Sequence, residues 1–207
     1  MSSPGAGIPP VGRGRVAAWA LWDSGATGVN AIVTTFGFNI YLISEVGKGL
    51  PGSTTPESWL GRAVLVAGIA VALLAPVTGV MVDAAYRRRR ALAALTGAVV
   101  VLTASMTFIK PDYHYLWIGL ALLAATAACM DLATVPYNAM LRQLSTPLTS
   151  GRVSGFGLAA GFFGSVVLLL LVFVGLKSGS GDTLGLLNVP NSDGKPDRYA
   201  VLAAAAW

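Results

Sequence analysis

An acid inside a hydrophobic run is the first feature of this sequence that could do chemistry. In the stretch LWDSGATGVNAIVTTF, Asp23 is followed by Thr27, Asn30 and Thr34. These positions fall at i, i+4, i+7 and i+11, which is one face of a helix. A second apolar run repeats the theme in MDLATVPYNAM, where Asp131, Thr134 and Asn138 fall at i, i+3 and i+7. A charged side chain at the centre of a bilayer costs about 2.5–3.5 kcal/mol on insertion scales. Polar faces of this kind therefore turn away from lipid, toward a cavity or a neighbouring helix. The chemistry on offer is binding. Carboxylates can hold a proton, and hydroxyls and an amide can hydrogen-bond a small solute.

The elements that must position these residues follow from composition. Of the 207 residues, 55% are hydrophobic and 11% are charged. A water-soluble domain carries about 25% charged residues, so this chain cannot dress a water-facing surface. The mean hydropathy is +0.69. Five runs are long enough to cross a bilayer, at about 20 residues per span. They are Ala17–Ile43, Trp59–Val82, Ala91–Ile109, Tyr115–Tyr137 and Val153–Leu176, and a sixth begins at Tyr199 and stops at Trp207. Lipid offers no partner to backbone groups, so these runs must be helices. The expected fold is an all-α membrane protein. Residues 1–15, rich in Ser, Pro and Gly, read as a disordered N-terminus, and 16–207 as one transmembrane bundle.

Charge sets the expected orientation. The net charge is +5, but the basic residues lie between apolar runs, which favours a membrane over nucleic acid. Arg13, Arg15, Arg87, Arg88, Arg89, Arg90, Arg142 and Arg152 share one side if the spans alternate. The run of four in a short loop places that side, and the N-terminus, in the cytoplasm of an inner-membrane protein. Asp131 then sits near the cytoplasmic end of a helix running opposite to the first, at a depth similar to that of Asp23. If the two carboxylates approach, they cannot both ionise easily, and the pair becomes a proton site.

Two further stretches carry spacing. In GVMVDAAYRRRR, Gly79 and Asp83 precede Arg87 and Arg88 at the end of the second span. In GRVSGFGLAAGFFGS, Gly157, Gly161 and Ser165 are four apart, with Gly164 on the same side. Such a ridge of small residues lets another helix approach closely. His114 is the only histidine and has no metal-ligand cluster around it. No phosphate-binding Gly-rich loop and no nucleophile motif occur, so no catalytic residue, cofactor or metal is expected. The single cysteine, Cys129, excludes a disulfide within the chain.

Taken together, AWALWDSGATGVNAIVTTFGFNIYL, APVTGVMVDAAYRRRR, VPYNAMLRQLSTP and GRVSGFGLAAGFFGS resemble the major facilitator superfamily of transporters. Within it they resemble the branch related to the fungal vacuolar amino-acid effluxer of autophagy, whose bacterial members are called the unknown major facilitator family. The resemblance implies twelve helices in two six-helix halves and alternating access around a central cavity. In this half the cavity is lined mainly by the first and fourth helices, where Asp23 and Asp131 lie. The superfamily's loop between helices two and three reads Gly-x-x-x-Asp-basic-x-Gly-basic-basic. Gly79, Asp83, Arg87 and Arg88 match it, whereas Ala84 and Tyr86 depart from it. The matching four residues are expected to latch the cytoplasmic gate. On this reading the chain is the N-terminal half, cut within its sixth helix, and its C-terminal half is missing. Its partners are the lipid bilayer and a small solute, with amino acids the suggested class and a proton the suggested coupling ion. The alternative is a non-transporting membrane partner that assembles through its Gly-rich fifth helix.

Overall fold

The computed structural model of the protein describes residues 12–82 and 85–207. The first span runs from Arg13 to Val46 over 34 residues. It starts as α1 (Arg13–Asn30), widens into a π turn at Ala31–Phe36, breaks at Gly37, and resumes as α2 (Phe38–Tyr41) with a second π turn at Leu42–Val46. The local sequence permits the irregularity. Ile32, Val33, Thr34 and Thr35 are β-branched and crowd the preceding turn. Gly37 then adds about 1 kcal/mol of helix-breaking preference. A side chain at Gly37 would also run into the carbonyl oxygen of Ile32.

Four more helices are long and apolar enough to cross a membrane. They are α3 (Pro56–Met81), α4 (Ala85–Ser105), α5 (Leu116–Leu144) and α6 (Ser150–Val172). A shorter helix, α7 (Lys195–Ala206), closes the described chain. Most helices begin or end outside the hydropathic runs. Arg13 to Arg15, expected in a disordered tail, are helical, and so are Tyr86 to Arg90. Charged ends do not interrupt a hydrogen-bonded helix; they mark where it leaves apolar solvent. Residues 1–11 of the expected tail lie outside the described residues.

The ends are fixed by local chemistry. Thr55 caps α3 by accepting the Ser58 N–H, with Pro56 in the first turn, where its missing N–H costs nothing. Asp112 accepts the His114 N–H at 2.9 Å ahead of α5, and this bond, with one from the His114 ring, holds its carboxyl below the usual range. The connection after α6 contains a two-stranded antiparallel hairpin, β1 (Thr183–Leu184) and β2 (Val189–Pro190), so the described residues are all-α apart from one small hairpin. Gly194 takes φ +63 at the start of α7, and a side chain there would meet the Tyr41 ring. Lys177 and Asp197 form an ion pair across this connection, and Arg198 donates to the Thr107 carbonyl.

Most buried side chains gather at the end of the bundle away from the arginines. Phe38, Tyr41, Leu42 and Val46 of the first span pack with Met106, Leu116 and Val201 there. Tyr41 also donates to the Ile109 carbonyl at 3.0 Å. The opposite end holds only a small aromatic cluster of Trp19, Ala20 and Tyr137. The helices otherwise turn large apolar side chains outward. Leu73 is 71% exposed on α3 and Phe163 is 73% exposed on α6. Only 6% of the most apolar stretch of α3 is buried within the chain. Such surface needs lipid or another protein against it, and the chain is an all-α membrane protein on this evidence.

The glycine ridge of α6 is used inside the chain. Gly157, Gly161 and Gly164 are buried and face α1. A side-chain carbon at Gly157 would strike the Trp19 ring, one at Gly161 would lie 2.6 Å from Asp23 Oδ2, and one at Gly164 would strike Ser24. Ser165 is buried beside them and donates to the Phe162 carbonyl at 2.8 Å. Gly164→Leu is therefore expected to lower stability by at least the 1–3 kcal/mol typical of overpacking. Thermal unfolding of the purified protein in detergent reads this, and an unchanged midpoint would refute the packing described.

Candidate functional site

Asp23 and Asp131 line the same cavity, of about 300 Å³. It opens between α1, α3 and α5. Thr27, Asn30 and Thr34 from the first span and Thr134 from α5 also line it. The i, i+4, i+7, i+11 stripe therefore stays together, even though its last member lies in the π turn. One flank of the stripe is covered by α6, because Gly161 leaves room for the Asp23 carboxylate and the Thr27 hydroxyl. The other flank faces the cavity.

The cavity is acidic. Asp23 and Asp131 are its only charged lining residues. Among the described residues neither carboxylate takes part in an ion pair. Thr134 spends its hydroxyl on the Asp131 carbonyl at 2.6 Å and so has only its lone pairs left for a ligand. Thr126 also lines the cavity, is 2% exposed, and has a hydroxyl with no hydrogen-bond partner. Sequence reasoning missed it. The available signal was its spacing, since Thr126, Met130 and Thr134 fall at i, i+4 and i+8 on one helical face.

Asn138 does not join this group. It lines a second cavity, of about 330 Å³, with Gly79, Val82, Arg88 and Arg142. Seven residues of helix separate it from Asp131, about 10 Å along the axis. The polar face of α5 thus serves two chambers in succession. Of the expected gate, Gly79 and Arg88 come together at this second chamber. Arg88 Nε donates to the Val82 carbonyl at 2.7 Å and its Nη1 to the Ala139 carbonyl at 3.3 Å, tying the end of α3 to α5. Arg87 instead turns to its neighbour, donating to the Tyr86 hydroxyl at 3.1 Å. Asp83 lies outside the described residues.

An aromatic stack supports the same end of α1. Trp19 and Tyr137 are parallel with centroids 4.4 Å apart, and Trp22 tilts onto the other side of Tyr137 at 4.4 Å. Trp19 Nε1 donates to the Tyr137 carbonyl at 3.2 Å. The stack fixes α1 against α5, and through it the relative placement of Asp23 and Asp131.

The Arg88 brace is open to test. Each hydrogen bond from a charged donor contributes about 1.5–3 kcal/mol, so Arg88→Gln is expected to loosen the junction of α3 and α5. Hydrogen exchange of the Val82 and Ala85–Arg90 amides should speed up by about tenfold or more, with α7 unchanged. Unaltered exchange would show that the junction is held by other contacts.

Comparison with known proteins agrees with this architecture. The chain is 24% identical over 191 residues to a Bacillus subtilis (strain 168) protein described as the uncharacterized MFS-type transporter YxiO. The alignment covers 91% of this chain and 42% of that protein, so the chain spans less than half the length of the relative it matches. No family model matches the chain. No solved structure matches it.

Proposed function

We propose that the chain forms one half of a secondary transporter of the major facilitator superfamily, in the branch related to the fungal vacuolar amino-acid effluxer. It moves a small solute by alternating access, with a second six-helix half completing the path. The observation that carries this reading is the shared cavity. Two antiparallel spans each bring a carboxylate without an ion-pair partner to one polar chamber inside an otherwise apolar bundle. Intramembrane acids are retained where they meet a solute, an ion or a proton path.

The chemistry of the lining narrows the solute. Two carboxylates, several hydroxyls and one amide, with no basic residue among them, suit a group that donates hydrogen bonds and bears positive charge. An amino acid would place its ammonium group here and leave its carboxylate to the opposite half. The same two acids can hand a proton between the loaded and empty states. The Arg88 junction serves the cytoplasmic gate, since a bias of a few kcal/mol between two states decides which side is open.

The competing reading, a non-transporting partner that assembles through the fifth helix, has to do without the glycine ridge. Gly157, Gly161 and Gly164 already meet Trp19, Asp23 and Ser24 of the same chain.

Counterflow of radiolabelled amino acids into proteoliposomes, using the protein as purified from native membranes, tests the proposal. Asp23→Asn and Asp131→Asn are each expected to slow exchange by roughly tenfold or more, the loss of one charge-assisted contact at about 1.4 kcal/mol per factor of ten. Undiminished exchange in both variants would remove the cavity from the mechanism. Proton coupling is tested separately, by the pH dependence of the rate, which should flatten in at least one variant. A profile that survives both substitutions would eliminate the proton role while leaving transport intact.

A further inference from the structure

A groove separate from the acidic cavity lies at the arginine end, between α1, α4 and α5. Its volume is about 480 Å³, within the range of sites that hold drug-sized ligands. Arg15 from α1 and Arg89 from α4 stand at this groove, and among the described residues no acid lines it. Both side chains are exposed, and among the described residues neither is in an ion pair. Beyond them the lining changes character. Trp19, Trp22 and Tyr137 form the floor, with Leu92 and Met140 beside them. The indole donors there are already used, Trp19 on the Tyr137 carbonyl and Trp22 on the Thr96 hydroxyl at 2.9 Å. The Tyr137 hydroxyl has no hydrogen-bond partner but is buried beside Gly157 of α6, so the floor offers the groove mainly apolar and aromatic surface.

We propose that this groove is a binding site for an anionic phospholipid, with Arg15 and Arg89 on the headgroup phosphate and the upper acyl chain on the Trp19, Trp22 and Tyr137 floor. Charge and polarity are matched along one axis of the groove. A guanidinium presents a planar fork that suits phosphate oxygens. Two of them without acidic neighbours leave net positive charge to be met. A free inorganic anion would satisfy the arginines but leave the aromatic floor unfilled. A neutral lipid would fill the floor but leave the arginines unmet. A lipid with net negative charge does both, and basic pockets between spans are where such headgroups bind. The inference needs only that the bundle lies in a membrane, and stands or falls apart from the transport reading.

The test uses tryptophan fluorescence, because two reporters already line the groove. The protein carrying Trp59→Phe, Trp117→Phe and Trp207→Phe keeps Trp19 and Trp22 alone. It is reconstituted in phosphatidylcholine vesicles doped with dibromo-phosphatidylglycerol or, in parallel, dibromo-phosphatidylcholine. Quenching by the anionic lipid is expected at a several-fold lower mole fraction than by the zwitterionic one. Arg15→Gln with Arg89→Gln should abolish that preference, and Arg13→Gln with Arg90→Gln, which lie outside the groove, should keep it. Equal quenching by the two lipids overturns the proposal. So does equal loss in both double variants, which would reveal only a general attraction of basic surface. Loss of the preference on adding millimolar inorganic phosphate would assign the arginines to a free anion and also overturn it. If the triple variant does not fold, the retained phosphatidylglycerol is counted instead by native mass spectrometry of the otherwise unaltered protein and the two double variants, with the same outcomes deciding.

Discussion

The close approach of α1 to the glycine face of α6 is the contact on which the rest of the bundle depends. At Gly161 the missing side chain is the space in which the Asp23 carboxylate and Thr27 hydroxyl lie. At Gly164 it is the space for Ser24. An acid on a membrane helix must be kept from lipid on every side that it does not use. Here one flank is sealed by a neighbouring backbone and the other is left open to a chamber. A bulkier α6 would push α1 outward and carry the whole polar stripe toward lipid. Close packing and polar function are thus one arrangement, not two.

The second constraint is the solvent outside. The helices turn their largest apolar residues outward and keep little of α3 buried. In lipid this costs nothing, because association between spans is driven by close fit and hydrogen bonds and not by hiding oil from water. The contacts that hold the bundle are accordingly specific. They are the glycine ridge, the Trp19–Tyr137–Trp22 stack, the Arg88 junction and the Tyr41 hydroxyl on the Ile109 carbonyl. The two ends are built differently. One is a dense apolar cluster around Phe38, Leu42 and Leu116, and the other is an open, basic, aromatic-lined mouth.

The spans themselves were legible because twenty apolar residues in lipid have only one good conformation. Their ends were less so. Hydropathy marks where a helix leaves the apolar layer, whereas the hydrogen bonds of α1 and α4 continue through Arg13 and Arg89. That Asp23 and Asp131 would line one cavity could be read from antiparallel spans and similar depth. The separation of Asn138 into another chamber could not, since spacing gives a face and says nothing of how far along that face a cavity extends. The π turns at Ala31 and Leu42 were equally hidden. A β-branched run and a glycine permit them, but only tertiary contacts select them over a kink or a regular helix. Thr126 was overlooked because a lone hydroxyl in an apolar run usually bonds its own backbone; here it does not.

One consequence of the first span is electrical. Asp23 lies about 15 Å along the helix from Arg13, at 1.5 Å per residue, and so within the layer across which a living membrane holds its voltage. Carrying one elementary charge through that whole field is worth about 2.3 kcal/mol per 100 mV. On the proposed reading, voltage as well as concentration would then set how readily a cation reaches Asp23. In the proposed transport cycle, an ionised Asp23 would move with the first span as it tilts. Membrane potential would then bias the two states of that cycle, toward the one in which the carboxylate lies furthest toward the positive side.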